Sequence, residues 1–494
     1  MPVAYWTGNT FPGAGMMLSE VIEALDGKLL GDNVAFESVS TDTRSLKQGD
    51  LFVAIQGPHF DAHNFVDEAR VKGAVAAMVS RKVKTDLPLL LVADTRMGLG
   101  RLAATWRSRY TIPIIAVTGS NGKTTVKEML TTILGQGGPV LATKGNLNNE
   151  IGVPLTLLRL EEDHRYAVIE MGANGPGEIN YLSSLVKPQV AIITNAAPAH
   201  LEGFGDISGV ARAKGEIFNS LVDDGTAIIN ADDSRVGLWR VMVGKHRSVS
   251  FGIHNPADLT AREMHANTYG GYTFEMHTPS GFIDISLRLP GKHNIMNALA
   301  AAAGALALGA TLSDIKSGLE TMQAVKGRLQ LKKGIHHSLV VDDTYNANPG
   351  SMRPVFEVLA AHRGKKILVL GDMGELGNAS RAFHEQVGRQ ARATGIDLLY
   401  TVGEQASISA GTFGKGAHHF ADQDDLIVAL CTELNKESNG EIMVLVKGSR
   451  FMRMEQVVQV LVSGNDEPVA SNASGELGGG PHGVIRAKDA WFGG

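Results

Sequence analysis

Short apolar runs recur along this chain between amphipathic stretches, and the alternation predicts strands followed by helices. Up to about Thr111 the strand-like runs are Leu51 to Ile55, Val75 to Val79 and Leu89 to Val92, with helical patterns at Phe65 to Lys72 and Leu99 to Tyr110. A second set follows at Ile114 to Thr118, Val140 to Ala142, Ala167 to Met171, Val190 to Thr194 and Ala227 to Ile229. Helical stretches separate these runs, a βαβ rhythm that predicts a mostly parallel sheet covered on both faces. Around residues 248 to 289 the pattern changes to β-hairpins, with Pro279-Ser-Gly281 as a turn signal. From about Lys326 strands return at Leu339 to Val341, Ile367 to Leu370, Leu398 to Val402 and Ile442 to Val446.

The resulting expectation is an α/β protein of three domains, residues 1–111, 112–325 and 326–463, each with a core of its own. Residues 464–494 are rich in Gly, Asn, Ser and Pro without periodicity and read as a disordered tail. The longest apolar run, Ala298 to Ala310, is too short to span a bilayer and is alanine-rich, which predicts a packed core helix and no membrane insertion.

Composition narrows the class. Lys plus Arg number 46 against 51 Asp plus Glu, with no long basic run, so a nucleic-acid partner is disfavoured. Cys431 is the single cysteine and cannot form an intrachain disulfide, and no Lys or Arg precedes the apolar patch at Met16 to Leu18. A cytoplasmic monomer without a secretory signal is the expectation.

The chemistry starts where the strand Ile114 to Thr118 breaks into Gly119-Ser-Asn-Gly-Lys-Thr-Thr125. Gly119 and Gly122 allow a tight bend that turns successive amides, including those of Ser120, Asn121 and Thr125, toward one anion. Lys123 brings a positive charge to the outer phosphates, and Thr124 a hydroxyl suited to Mg²⁺. Two residues separate the glycines where the general P-loop has four, so this is an ATP or GTP site of a narrower type.

Ligands in a parallel sheet bind beyond the carboxyl ends of its strands. There lie Asn148 and Asn149, Glu170 before Met171-Gly-Ala-Asn-Gly175, and the Asn195 to His200 turn. A carboxylate at Glu170 suits Mg²⁺, which prefers hard oxygen ligands. His200 is one of sixteen histidines and Lys214 sits on a predicted helix, so residue type alone favours structural roles for both. In the third block, Asp342-Asp-Thr-Tyr-Asn-Ala-Asn-Pro349, Leu370-Gly-Asp-Met-Gly-Glu-Leu-Gly377 and Lys447-Gly-Ser-Arg450 again sit at strand ends. The first block's Ser40-Thr-Asp-Thr-Arg-Ser45 is a polar loop, equally readable as a capped turn.

Thr118 to Thr125, Gly145-Asn-Leu-Asn-Asn-Glu-Ile-Gly-Val-Pro154, Glu170 to Asn174, Asn195 to Glu202 and His293-Asn-Ile-Met-Asn-Ala-Leu-Ala-Ala301 occur in the order seen in Mur ligases. The resemblance spans roughly residues 16 to 463. The stretches Asp343 to Pro349 and Lys447 to Arg450 are most similar to the branch that joins D-alanyl-D-alanine to UDP-N-acetylmuramoyl-tripeptide. It implies an ATP-dependent amide ligase of cytoplasmic peptidoglycan precursor synthesis, acting through an acyl phosphate and releasing ADP and phosphate.

The same resemblance assigns roles. Lys123 and the loop amides would bind the ATP phosphates, and Thr124 with Glu170 a first Mg²⁺. His200 and a Lys214 carbamylated by CO₂ would help hold a second. Asn294 and Asn297 would face the adenine, and Arg328 and Asp343 would reach the nucleotide from a Rossmann-like third domain. In the small first domain the Ser45 loop would hold the uridine diphosphate, with Asn148 and Asn149 near the sugar or pyrophosphate. The alternatives are another Mur or folylpolyglutamate-type ligase, a P-loop ATPase switch that turns over without an amine, and a non-catalytic nucleotide-binding scaffold.

Overall fold

The computed structural model describes residues 15–198, 201–267, 271–436 and 441–463. Each block contains a sheet. In the first, the strands run in the spatial order Lys28–Leu30, Leu89–Leu91, Ala76–Val79, Asp50–Val53 and Ser38–Ser40, all parallel except the Lys28–Leu30 edge. The central sheet is wholly parallel, in the order Arg247–Phe251, Thr226–Asn230, Val190–Ile193, Ile114–Thr118, Tyr166–Glu170 and Val140–Ala142. Its phosphate-loop strand is therefore interior, and all five of its residues are buried.

Arg247–Phe251 corrects the expectation of hairpins from residue 248. This segment pairs in parallel with Thr226–Asn230 as the edge of the central sheet. Arg247 and Ser248 at its start are exposed, and that polar half hides the strand in a hydropathy reading. The hairpins begin later, as the antiparallel strands Thr260–Ala266, Tyr272–Thr278 and Gly281–Leu287, the last two joined by the expected Pro279 to Gly281 turn.

The alanine-rich run is the helix His293–Ala307, with eleven buried residues. Alanine suits it because the helix lies close on the central sheet: a Cβ on Gly304 would come within 2.7 Å of Ile192 Cδ1. No helix among the described residues is long and apolar enough to cross a membrane.

The third sheet runs Gln330–Lys333, Leu339–Asp343, Ile442–Lys447, Lys365–Gly371, Leu398–Val402 and Ala417–Phe420, parallel except for the antiparallel first strand. It carries separate cores on its two faces. The first two blocks share one core along their seam, and each has a further apolar cluster of its own. The helix Thr95–Arg107 lies in the seam, where Trp106 donates to Leu160 O at 3.1 Å and Arg107 to Val186 O at 3.1 Å. Asp94 starts that helix by accepting the amides of Arg96 and Met97. The expected disordered tail, 464–494, lies outside the described residues.

Candidate active site

The phosphate loop can be built only with glycine at its two bends. Gly119 has φ +147° and a Cβ there would lie 1.9 Å from Thr194 Oγ1; Gly122 has φ +83° and a Cβ would lie 2.5 Å from Asn297 Oδ1. Gly122 precedes the helix Lys123–Leu134, whose free N-terminal amides face the loop. The neighbouring turn holds the loop in shape: Ser120 N donates to Asn195 O and Asn121 N to Asn195 Oδ1, each at 3.0 Å. Lys123 folds back so that Nζ donates to Gly119 O at 2.7 Å. Burial lowers its pKa, the Glu170 carboxylate opposes that shift, and the Arg328 charge adds to it.

Behind the loop is a chain of polar contacts. Arg328 Nη2 donates to Thr124 Oγ1 at 2.7 Å, and Thr124 Oγ1 donates to Glu170 Oε2 at 2.9 Å. Asn148 Nδ2 donates to the other oxygen, Glu170 Oε1, at 2.8 Å, and the Glu170 amide is held by Thr143 Oγ1 at 2.9 Å. Glu170 is 1% exposed, so its carboxylate is fixed in orientation while a hydroxyl oxygen stands beside it. Two adjacent hard oxygen donors of this kind match the preference of Mg²⁺.

Lys214 is not on a helix surface. It ends the helix Ile207–Gly215 at 2% exposure, with Nζ 5.4 Å from the centre of the Phe204 ring and no hydrogen-bond partner among the described residues. Burial brings its pKa down to about 7; the Lys123 charge contributes in the same direction, and Glu178 and Glu216 oppose it. An amine that is about half neutral near pH 7, close enough to Lys123 to feel its charge, is far more reactive than a solvated lysine. His200 lies outside the described residues.

A cavity of about 860 Å³ opens from the loop between the central and third units. One end is polar, with Asn121 and Lys123, and the other has the apolar walls Phe251, Met264, Tyr272 and Met296. Asn294 and Asn297 line it, oriented by Asn297 Nδ2 to Asn294 Oδ1 at 2.9 Å and Asn294 Nδ2 to Pro290 O at 2.7 Å. His293 beside them has a pKa pushed down to about 4, by burial and then by the Lys447 charge, and so adds no charge to the cavity near neutral pH.

From the third unit come Arg328, stacked 4.1 Å from the centre of the Tyr345 ring, and Asp343, which is ion-paired with Lys447. Burial pushes the Asp343 carboxyl up, while Lys447 and the Leu329 amide pull it back. Lys447 Nζ also donates to Asn346 O at 2.9 Å, which ties the two third-unit motifs together.

The structure thus brings together Gly119 to Thr125, Glu170, Lys214, Asn294, Asn297, Arg328 and Asp343. The remaining expected residues have these contacts. Asn148 is engaged by Glu170, and Asn149 Oδ1 accepts the Gly152 amide at 2.9 Å, a helix-capping contact. Ser45 lies in a closed turn of the first unit, its Oγ donating to Asp42 O at 3.3 Å beside a doubly bonded Arg44–Asp42 pair, away from the large cavity. Sequence reasoning missed Thr143, Tyr345 and Asn348, whose Nδ2 donates to Asn121 Oδ1 at 3.0 Å. Tyr345 and Asn348 stand in a quoted motif, where strand-end position was the available signal; Thr143 had none.

Two family models match: the Mur ligase middle domain over residues 117–305 and the Mur ligase glutamate ligase domain over 327–450. The UDP-N-acetylmuramoyl-tripeptide–D-alanyl-D-alanine ligase of Escherichia coli (strain K12) is 48% identical over 445 residues, 90% of this chain and 98% of that protein. Among solved structures, MurF from Acinetobacter baumannii has 38% identity and a TM-score of 0.86, covering 93% of this chain and all 100% of that one. MurF from Thermotoga maritima in complex with ADP has 30% identity and a TM-score of 0.77 over 86% and 97%. With these matches spread over the same stretches that build the loop, the carboxylate and the closing unit, the chain belongs to the MurF family of Mur ligases.

Proposed function

We propose that this protein joins D-alanyl-D-alanine to the free carboxylate of UDP-N-acetylmuramoyl-tripeptide, consuming ATP and releasing ADP and phosphate, as a step of peptidoglycan precursor synthesis in the cytoplasm. The single observation that carries this reading is the Arg328–Thr124–Glu170–Asn148 chain, which joins the third unit to the phosphate loop and a fixed carboxylate. A P-loop switch has no need of a second α/β unit delivering an arginine and a buried Asp343–Lys447 pair to the same cavity.

A carboxylate cannot acylate an amine directly, because oxide would have to leave. One carboxylate oxygen of the tripeptide therefore attacks the γ-phosphorus of ATP, the bond to the β-phosphate oxygen breaks, and ADP departs. The dipeptide amine then attacks the acyl carbon, loses a proton, and expels phosphate. The first step brings anion to anion, so charge neutralisation by the loop amides and Lys123 dominates catalysis. Closure by the third unit excludes water that would hydrolyse the acyl phosphate.

Thr124 and Glu170 would hold a first Mg²⁺, and His200 with Lys214 would hold a second, the ions supplying further charge neutralisation between phosphate and carboxylate. For Lys214 this requires carbamylation: the neutral amine adds to CO₂ and loses a proton, reversing the charge of the side chain. The lowered pKa, which leaves a large share of the amine neutral near pH 7, supports this assignment. We assign 1–111 to the uridine diphosphate end, with Ser45 in its loop, 112–325 to ATP, and 326–463 to the closing unit. The sheets fall inside these limits.

The mechanism is tested with tripeptide whose reacting carboxylate carries ¹⁸O. One labelled oxygen should appear in inorganic phosphate for each amide formed. Phosphate free of label would exclude the acyl phosphate.

A further inference from the structure

Of the stretch His293 to Ala301, Asn294 and Asn297 are accounted for and the first residue is not. His293 opens the helix His293–Ala307, and its ring lines the large cavity beside Asn294. The ring folds back over Gly291, where φ is +87° and a Cβ would come within 2.6 Å of His293 Nδ1. Only glycine leaves room for it there.

The ring's surroundings fix what it offers. Nδ1 is buried and has no hydrogen-bond partner among the described residues; Nε2 has none either, but it is not enclosed. Burial and the Lys447 charge keep the imidazole neutral near pH 7. One nitrogen then carries the proton, and an orphaned buried N–H is rarer than an orphaned acceptor. That tautomer leaves Nδ1 bare and makes Nε2–H a donor toward the cavity.

Position along the helix says what the donor meets. Asn297, four residues on and on the same face, stands against the phosphate loop, its Oδ1 2.5 Å from where a Cβ on Gly122 would be. His293 lies about 6 Å back along the axis, a step comparable with that from the phosphates of a nucleotide to its ribose. The base belongs farther on, among Phe251, Met264, Tyr272 and Met296. Asp343 and Lys447 line the cavity from the third unit, and the Lys447 charge reaches His293. Asp343 Oδ1 accepts the Leu329 amide at 3.1 Å and Oδ2 is paired with Lys447, which leaves each oxygen a lone pair. A donor on one wall and a carboxylate on the other complement a pair of hydroxyls, which can accept from the first and donate to the second.

We propose that His293 reads the ribose of the bound nucleotide, donating Nε2–H to one of its two vicinal hydroxyls, and so selects a ribonucleotide over a deoxyribonucleotide. This rests on the nucleotide-site part of the ligase reading above and adds the residue that sets the choice of sugar.

Calorimetric titration of the full-length protein with ADP, 2′-deoxyADP and 3′-deoxyADP in the presence of Mg²⁺ needs no acceptor, so it tests the ribose contact apart from turnover. One of the two deoxynucleotides should bind the wild-type protein at least fivefold more weakly than ADP. His293→Phe keeps a ring over Gly291 and removes the N–H; it should bind ADP at least fivefold more weakly and distinguish it from that deoxynucleotide by less than twofold. His293→Gln, whose amide can place a donor near the position of Nε2, should recover part of the difference. His293→Leu, with the same expectation as His293→Phe, serves if that variant does not fold. A merely structural role would weaken all three nucleotides alike and leave their ratios unchanged. Equal binding of the three by the wild-type protein, or ratios that survive His293→Phe, overturns the proposal. Absence of binding of all three by the wild-type protein would overturn the nucleotide reading itself, and this inference with it.

Discussion

Lys214 is the residue whose environment says most about the chemistry. An ammonium in that position would be buried with no hydrogen-bond partner among the described residues and would oppose Lys123, which is why its pKa falls to about 7. In the uncarbamylated protein the folded value lies below the ordinary 10.5, so the unfolded chain binds more protons between about pH 7 and 10.5. Over that window Lys214 makes stability rise with pH; below it the cost of the buried charge is constant. Activity should rise through about pH 7 in a bicarbonate-dependent way, because CO₂ adds only to the neutral amine. Lys214→Ala should be folded and nearly inactive, and should recover part of its rate with acetate, which supplies two oxygens in the vacated space; near-normal activity without acetate would remove the carbamate. Lys123→Ala should lower kcat by at least a thousandfold, a loss of about 4 kcal/mol of transition-state stabilisation, with an unchanged circular dichroism spectrum.

The helices that carry these groups are set by local rules that can be tested apart from catalysis. The helix Ile207–Gly215 starts at Asp206, whose Oδ1 accepts the Gly209 amide at 2.6 Å. Asp206→Ala should cost about 1 kcal/mol of stability. The phosphate-loop helix Lys123–Leu134 is crossed by the helix Leu312–Thr321, which approaches so closely at Gly318 that a Cβ would sit 2.5 Å from Ile133 Cα. Backbone cannot swing aside as a side chain can, so Gly318→Ala should destabilise by about 1–3 kcal/mol in urea unfolding and raise KM for ATP through the displaced loop.

Strands buried on both faces, such as Ile114–Thr118 and Val190–Ile193, were legible as apolar runs, and the loop residues followed from the glycines that bend it. The edge strands Lys28–Leu30, Gln330–Lys333 and Ala417–Phe420 were not, because none has a fully buried residue and none shows a continuous apolar run. In the site, Asn149 is hard to read from sequence because a helix cap and a ligand contact call for the same residue type; the structure shows its bond to the Gly152 amide.

At the scale of the whole molecule, the first two units share a core and the third meets them at the cavity through a few polar contacts, chiefly Arg328 on Thr124 and Asn348 on Asn121. Arg328→Ala should therefore raise KM for ATP and slow turnover while leaving the melting temperature within a few degrees, since it removes a contact between units rather than core packing; a large fall in melting temperature with normal kinetics would make the contact structural. The central claim is that ATP cleavage is coupled to an amine acceptor. Its most direct test is ADP release measured with ATP and UDP-N-acetylmuramoyl-tripeptide, with and without D-alanyl-D-alanine. The account predicts sustained release only when all three are present, with one amide formed per ADP, and equal release with ATP alone would contradict it.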